Sequence, residues 1–259
     1  MPQIVALHFH PDWPFHGGTV IGAMGDAGRY RSQFETGTSN GGLTARPGGD
    51  RWRWESRLFS GRYDGRPAEA RPAYGALVLG DPYGPATRFG SAHLRLRPEV
   101  TARTTFCYPD SVFEPEGVVE EDGVDTLVAR MRADDLDLLD RYVEAHVHGG
   151  IRFATDVEAI VLDPCFRGTE VQDAAERLGC AVEFHPGFRV HTADLDEDYR
   201  GPVPKGLAQQ LGAELTPDVV GAAVRSGRHD PQTLKRVWHL LARYGRTGPT
   251  LPLESQTEA

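Results

Sequence analysis

Basic excess is the first thing this 259-residue sequence lacks. It carries 28 Lys+Arg against 37 Asp+Glu, a formal charge of −9, which argues against nonspecific nucleic-acid binding, since that requires a basic face. Lysine is nearly missing, with Lys205 and Lys235 alone among the basic residues, so arginine supplies almost all positive charge. Arginine suits bidentate contact with phosphate and carboxylate, although a compositional bias of the gene gives the same count. Cysteine is scarce too. Cys107, Cys165 and Cys180 form no CxxC pair and cannot close a disulfide framework, so they read as small apolar residues of a reducing compartment. No apolar run approaches the roughly 18 residues of a membrane span, and the start Met1-Pro2-Gln3 shows no basic-then-apolar signal pattern. A soluble cytoplasmic protein without membrane partners is expected, with secretion by a signal-less route left open.

Several catalytic signatures are also missing. There is no Gly-x-Ser-x-Gly elbow for acyl transfer, no Walker loop, and no Gly-x-Gly-x-x-Gly between a strand and a helix. What is present is bulk for a core, with 11 Phe, 8 Tyr and 4 Trp in a chain that is 39% hydrophobic. Apolar or alternating segments predict strands at 4–9, 30–35, 74–79, 88–97, 103–107, 142–148 and 157–162, and a hairpin-like pair at 181–184 and 188–191. Helical spacing and start signals predict helices around 19–27, 51–59, 123–139 and 167–178. Beyond Asp194 the pattern turns helical, at 207–211, 216–225 and 231–244. Many strands with few interleaved helices favour α+β over regular βαβ alternation. The expected layout is an α+β domain over 1–193, a helical extension over 194–248 and a flexible tail over 249–259.

Four motifs could carry chemistry. His8-Phe9-His10-Pro11-Asp12 ends the first strand, and strand alternation puts both histidines on one face, to ligate a metal or flank a pocket, or simply to hydrogen-bond within a core. The polar turn Thr36-Gly37-Thr38-Ser39-Asn40 offers hydroxyls, an amide and backbone N–H groups to a phosphate or amide, though any tight turn has such a composition. Arg71 with Tyr74, and Arg88 with Phe89, place an arginine and an aromatic ring at two strand starts, where core packing of the rings is the plainer alternative. In the fourth, Glu144, His146 and His148 share one strand face while Val143, Ala145 and Val147 share the other, so a carboxylate turned inward there would need a partner.

His8-Phe9-His10-Pro11-Asp12, the run Phe34 to Gly42, Tyr74-Gly75-Ala76-Leu77, Arg88-Phe89-Gly90-Ser91 and Asp156 to Asp163 together resemble a bacterial family of unknown function along nearly the whole chain. More distantly, the order of parts resembles the ADP-ribosyltransferase superfamily: a first-strand His, then a Ser/Thr or Tyr motif, then a late strand Glu. That resemblance implies a mixed two-sheet core of that type. It implies NAD as substrate, with no metal expected, and Glu144 and His10 as catalytic residues. His8 competes with His10 for the first place, and Tyr30 is the alternative to Thr36, Thr38 and Ser39 in the second. His8, Thr36, Thr38, Ser39, Asn40, Tyr74, Arg71 and Arg88 would bind the dinucleotide. The acceptor would be a protein, a nucleic acid, a small molecule or water. The rival expectations are a divalent-metal hydrolase using His8, His10, His146, His148 and Asp163, and a non-catalytic interaction protein docking through its helical end.

Overall fold

Alternation along the strands decides the architecture. In Val5-Ala6-Leu7-His8-Phe9 the odd positions are bulky and apolar, the even ones small or polar, and the residues that pair with them keep the same phase. The computed structural model describes residues 3–37 and 45–248. Seven strands form one sheet: β1 (Val5–Phe9), β2 (Ala73–Leu77), β3 (Ala92–Leu96), β4 (Thr104–Cys107), β5 (Glu144–Val147), β6 (Val157–Leu162) and β7 (Ala181–Phe184). Their order is β7-β6-β3-β1-β2-β5-β4, antiparallel except for the β6–β7 pair. The expected α+β class therefore holds, with one large mixed sheet and three two-stranded ribbons beside it among the described residues.

Register carries the alternation across the sheet. Ala6 lies opposite Ala76, Ala76 opposite Glu144, Glu144 opposite Cys107, and His8 opposite His93. One face thus gathers Val5, Leu7, Phe9, Leu77, Leu94, Leu96, Phe106, Ala145 and Val147 into the main core. Three helices cover it: α1 (Val20–Ala27) through Ile21 and Met24, α4 (Val124–Ala133) through Leu127 and Met131, and α5 (Glu170–Glu176) through Ala174 and Ala175. Gly75 lets β1 and β2 lie together, because a Cβ there would sit 2.6 Å from the Ala6 carbonyl oxygen.

The opposite face presents His8, His93, Tyr74, Glu144, His146, Thr105 and Cys107, and it is covered as well. Helix α3 (Asp50–Leu58) lies over one half: the Phe59 ring that follows it meets His146 edge-on at 5.1 Å, and the Arg51 guanidinium sits 4.4 Å over the Tyr74 ring. The other half meets α6 (Pro202–Leu211), α7 (Pro217–Arg225) and α8 (Pro231–Tyr244), whose Leu207, Val220, Leu234 and Trp238 share a second core with Tyr83, Leu139 and Phe188. Trp238 Nε1 donates to the Thr87 carbonyl (3.0 Å), and its ring meets His10 edge-on at 4.8 Å.

Three expected elements differ. The helix expected over 123–139 is α4, which ends at Ala133, where the backbone of Asp134 turns extended. The strand expected at 30–35 is two strand residues, Arg29–Tyr30, followed by α2 (Gln33–Thr36). Ser32 caps that helix: its hydroxyl accepts from Glu35 N while the Glu35 carboxylate accepts from Ser32 N, a reciprocal pair that outweighs the alternating pattern. The expected 181–184/188–191 hairpin does not form. β7 runs parallel to β6, and Val190–His191 pairs instead with Glu214–Leu215, so the chain crosses from the sheet to the helical end between them. The tail expected over 249–259 lies outside the described residues. No described helix is long and apolar enough to cross a membrane.

Candidate functional site

Glu144 is a carboxylate at the start of β5, the strand next to the β4 edge, 5% exposed, on the polar face. Taking a charged group out of water is costly unless donors replace the lost hydration. Here they do. Oε1 accepts from His146 Nε2 (2.9 Å), from Ser111 N (3.2 Å) and from the Cys107 thiol (3.7 Å), and Oε2 accepts from Ser111 Oγ (3.3 Å). Burial pushes the Glu144 carboxyl up, but the His146 contact, the nearby Arg51 charge and the Ser111 donors together hold it below the usual carboxylate value. Its neighbour Asp110, bonded by the Tyr142 hydroxyl and by Val112 N, is pushed up by burial and by the Glu144 charge. Held below the usual carboxylate value, Glu144 is ionised at neutral pH.

Glu144 opens onto a narrow cavity of about 50 Å³ whose wall also holds His8, Tyr74, Tyr30, Gln33, Arg51 and Tyr142. A first-strand histidine and the β5 glutamate thus share one cavity, with β2 between their strands. The His8 Nδ1–H donates to the Gly90 carbonyl (3.1 Å), which leaves Nε2 as a bare acceptor, buried and without a partner. Gly84 packs beside it; a Cβ at position 84 would come within 2.5 Å of Nε2, so only glycine leaves room there. Burial lowers the His8 pKa to about 3, and the ring is neutral.

A second cavity of about 110 Å³ meets the first at Tyr30 and Gln33. Phe9, Trp13, Val20 and Met24 make it largely apolar, and its size is close to that of protein cavities which take a single aromatic ring. His10 lines this second cavity, stacked on Trp13 at 3.8 Å, and burial likewise lowers its pKa to about 3. Thr36 is there too, its hydroxyl bonded to the Ser32 and Gln33 carbonyls. Thr38, Ser39 and Asn40 lie outside the described residues.

The two arginines expected at the site are engaged elsewhere. Arg71 is paired with Glu55 (2.5 Å), bonds the Tyr63 carbonyl (3.0 Å) and lies over the Phe34 ring; Arg88 is paired with Asp140. Neither lines the Glu144 cavity. The arginine that does is Arg51, which sequence reasoning missed. It is 6% exposed, and its Nε and Nη1 have no hydrogen-bond partner. Its signal was present: Arg51, Glu55 and Leu58, at i, i+4 and i+7, are the buried face of α3, so two charged residues fall in phase with an apolar one. Ser111, which donates twice to Glu144, and Tyr142 were missed as well.

The five residues of the rival metal set are not brought together. Asp163 instead accepts from Cys165 N and Phe188 N, beside His185. Among the described residues, the group whose ligand atoms could share one ion is Cys107, Glu144 and His146. Burial, then the Glu144 and Asp110 charges, push the Cys107 thiol well up, so it keeps its proton and serves Glu144 as a donor.

No curated protein matches the sequence. Among solved structures, Thermus sp. 2.9 DarT in complex with NAD+ is similar at a TM-score of 0.44 and 11% identity, over 71% of this chain and 96% of that one. The model of the family described as "Protein of unknown function (DUF3626)" matches residues 4–131 and 118–244, and the chain belongs to that family.

Proposed function

We propose that the protein cleaves the nicotinamide–ribose bond of NAD and passes the ADP-ribosyl group to an acceptor nucleophile or to water. The observation that carries this reading is the shared cavity, in which an ionised Glu144 faces the same space as neutral His8 and the unpaired Arg51. Breaking that bond sends the electron pair away with neutral nicotinamide and leaves an oxocarbenium-like ribose, which a fixed carboxylate stabilises. The nucleophile bonds to the anomeric carbon, and its proton goes to the Glu144 carboxylate.

The other residues divide the remaining work. The bare His8 Nε2 accepts a ribose hydroxyl, and the free Arg51 donors hold a phosphate oxygen. The ring-sized cavity at His10 and Trp13 takes an aromatic ring of the dinucleotide. Arg71 and Arg88, held by Glu55 and Asp140, are left out of this scheme. The test is Glu144→Gln, with NAD consumption and circular dichroism measured together. Removing one electrostatic contact of this kind costs about 3–4 kcal/mol of barrier, or about 10²–10³ in rate. Turnover should fall by that factor with the fold retained; unchanged turnover rejects the role of Glu144.

A further inference from the structure

Glu144 does not end its hydrogen bonding at His146. A line of contacts continues outward across β4 and β5 to the far side of the polar face: His146 Nδ1 to Thr105 Oγ1 (3.3 Å), Thr105 Oγ1 to His148 Nε2 (3.0 Å), and His148 Nδ1 to the Tyr63 hydroxyl (2.5 Å). The edge-on Phe59 ring packs over both imidazoles. The line leaves the interior at His148, which lines an open cavity with Arg62, Arg103 and Glu120.

With one hydrogen on each imidazole, the direction of every proton follows from the Glu144 end. An ionised carboxylate only accepts, so His146 Nε2 carries the hydrogen. If that is the ring's one hydrogen, His146 has a bare Nδ1, which the Thr105 hydroxyl must serve. That hydroxyl has one hydrogen and has used it, so His148 Nε2 carries the next. Neutral His148 in turn has a bare Nδ1, which Tyr63 O–H fills. All four donors point inward, and no polar atom in the line is left over.

We propose that Thr105, His148 and Tyr63 are positioning residues that act on Glu144 through His146, fixing its Nε2–H tautomer so that the carboxylate keeps its strongest side-chain donor. Without the Thr105 hydroxyl, His146 is free to carry its proton on Nδ1, and its Nε2 lone pair then faces the Glu144 oxygen.

This inference rests on the reading of Glu144 given above, but its first readout does not. Nitrogen-15 NMR of the imidazoles in the full chain, without NAD, should show His146 protonated at Nε2 and bare at Nδ1, and His148 in the same tautomer. Thr105→Val, which keeps the shape and removes the hydroxyl, should turn the His146 signals into a tautomer mixture. It should also lower kcat for NAD about tenfold, the value of one hydrogen bond, with KM within about twofold. Thr105→Ser should restore both. Doubly protonated His146 in the wild type, the reversed tautomer, or Thr105→Val indistinguishable from wild type in its nitrogen signals overturns the inference. A wild type that leaves NAD intact sinks the NAD reading instead, and the nitrogen signals still decide the relay.

Discussion

The two faces of the seven-stranded sheet are almost equally hidden from water, yet they are built from opposite materials. Phe106 and Leu94 on one face are 0% exposed; His146 and Glu144 on the other are 0% and 5% exposed. The apolar face is stabilised by burial at roughly 25 cal/mol per Å² and asks nothing of its neighbours but shape. The polar face needs a partner for each group. Most find one, but His8 Nε2 and His93 Nδ1 do not, nor do Nε and Nη1 of Arg51, which packs over that face. Unpaired buried polar groups weaken a fold, so a protein that keeps those of His8 and Arg51 in one cavity with an ionised carboxylate has a use for them other than stability.

The largest test of this contrast is acid. Burial holds the His8 and His10 pKa values to about 3 and that of His239 to about 2, whereas each is near 6.5 in the unfolded chain. Their folded values are depressed, so below pH 6.5 the unfolded state binds the extra protons and stability falls as pH drops towards 3. At pH 5 each histidine accounts for about 2 kcal/mol of lost stability. Asp12, Glu55 and Asp110, whose carboxyls burial pushes up, act in the opposite sense and offset part of it. Urea unfolding at pH 7 and pH 5 should therefore show a loss of several kcal/mol; equal midpoints and slopes would mean that the polar face is not buried as described.

Phe106→Ala probes the other face. Truncating a fully buried Phe costs about 3–5 kcal/mol, and the pH slope of stability should stay as in the wild type because nothing titratable is touched. NAD turnover per folded molecule should also be retained. A changed pH slope would show that the two faces are not energetically separate.

How far the sequence shows this contrast depends on the range of the interaction involved. Period-2 alternation is local, so Val5 to Phe9 and Val143 to His148 give the strands and the phase of His8 and Glu144 directly. The Ser32–Glu35 pair is local as well, but its capping signature was masked by the alternation of Tyr30 to Glu35. The failed hairpin at 181–191 is a matter of topology: a strand does not state whether its partner lies before or after it, and β7 pairs backward with β6. The same limit governs the site. Glu144 and His8 are each marked on their strands and Arg51 by its helical phase, whereas Ser111, the place of Arg51 beside Glu144 and the Thr105–His148 link exist only through register and helix packing across tens of residues.

The smallest expected stability effect is the one that separates the faces by sign. Arg51→Met keeps a long, flexible side chain over Tyr74 and removes a guanidinium with two buried, unpartnered donors. Relief of that desolvation should offset the lost cation–π contact, leaving stability unchanged or raised by about 1 kcal/mol. Affinity for NAD should fall, since a charge-assisted hydrogen bond is worth about 1.5–3 kcal/mol, roughly 10–100-fold. Arg51 also helps to keep Glu144 ionised, so the acid limb of the turnover profile should move to higher pH. Thermal melting and NAD titration on the same preparation read both quantities. On the apolar face a truncation lowers stability and spares binding; at Arg51 the pattern is reversed. A variant that loses stability while binding NAD as before would make Arg51 part of the scaffold and leave the cavity without its cation.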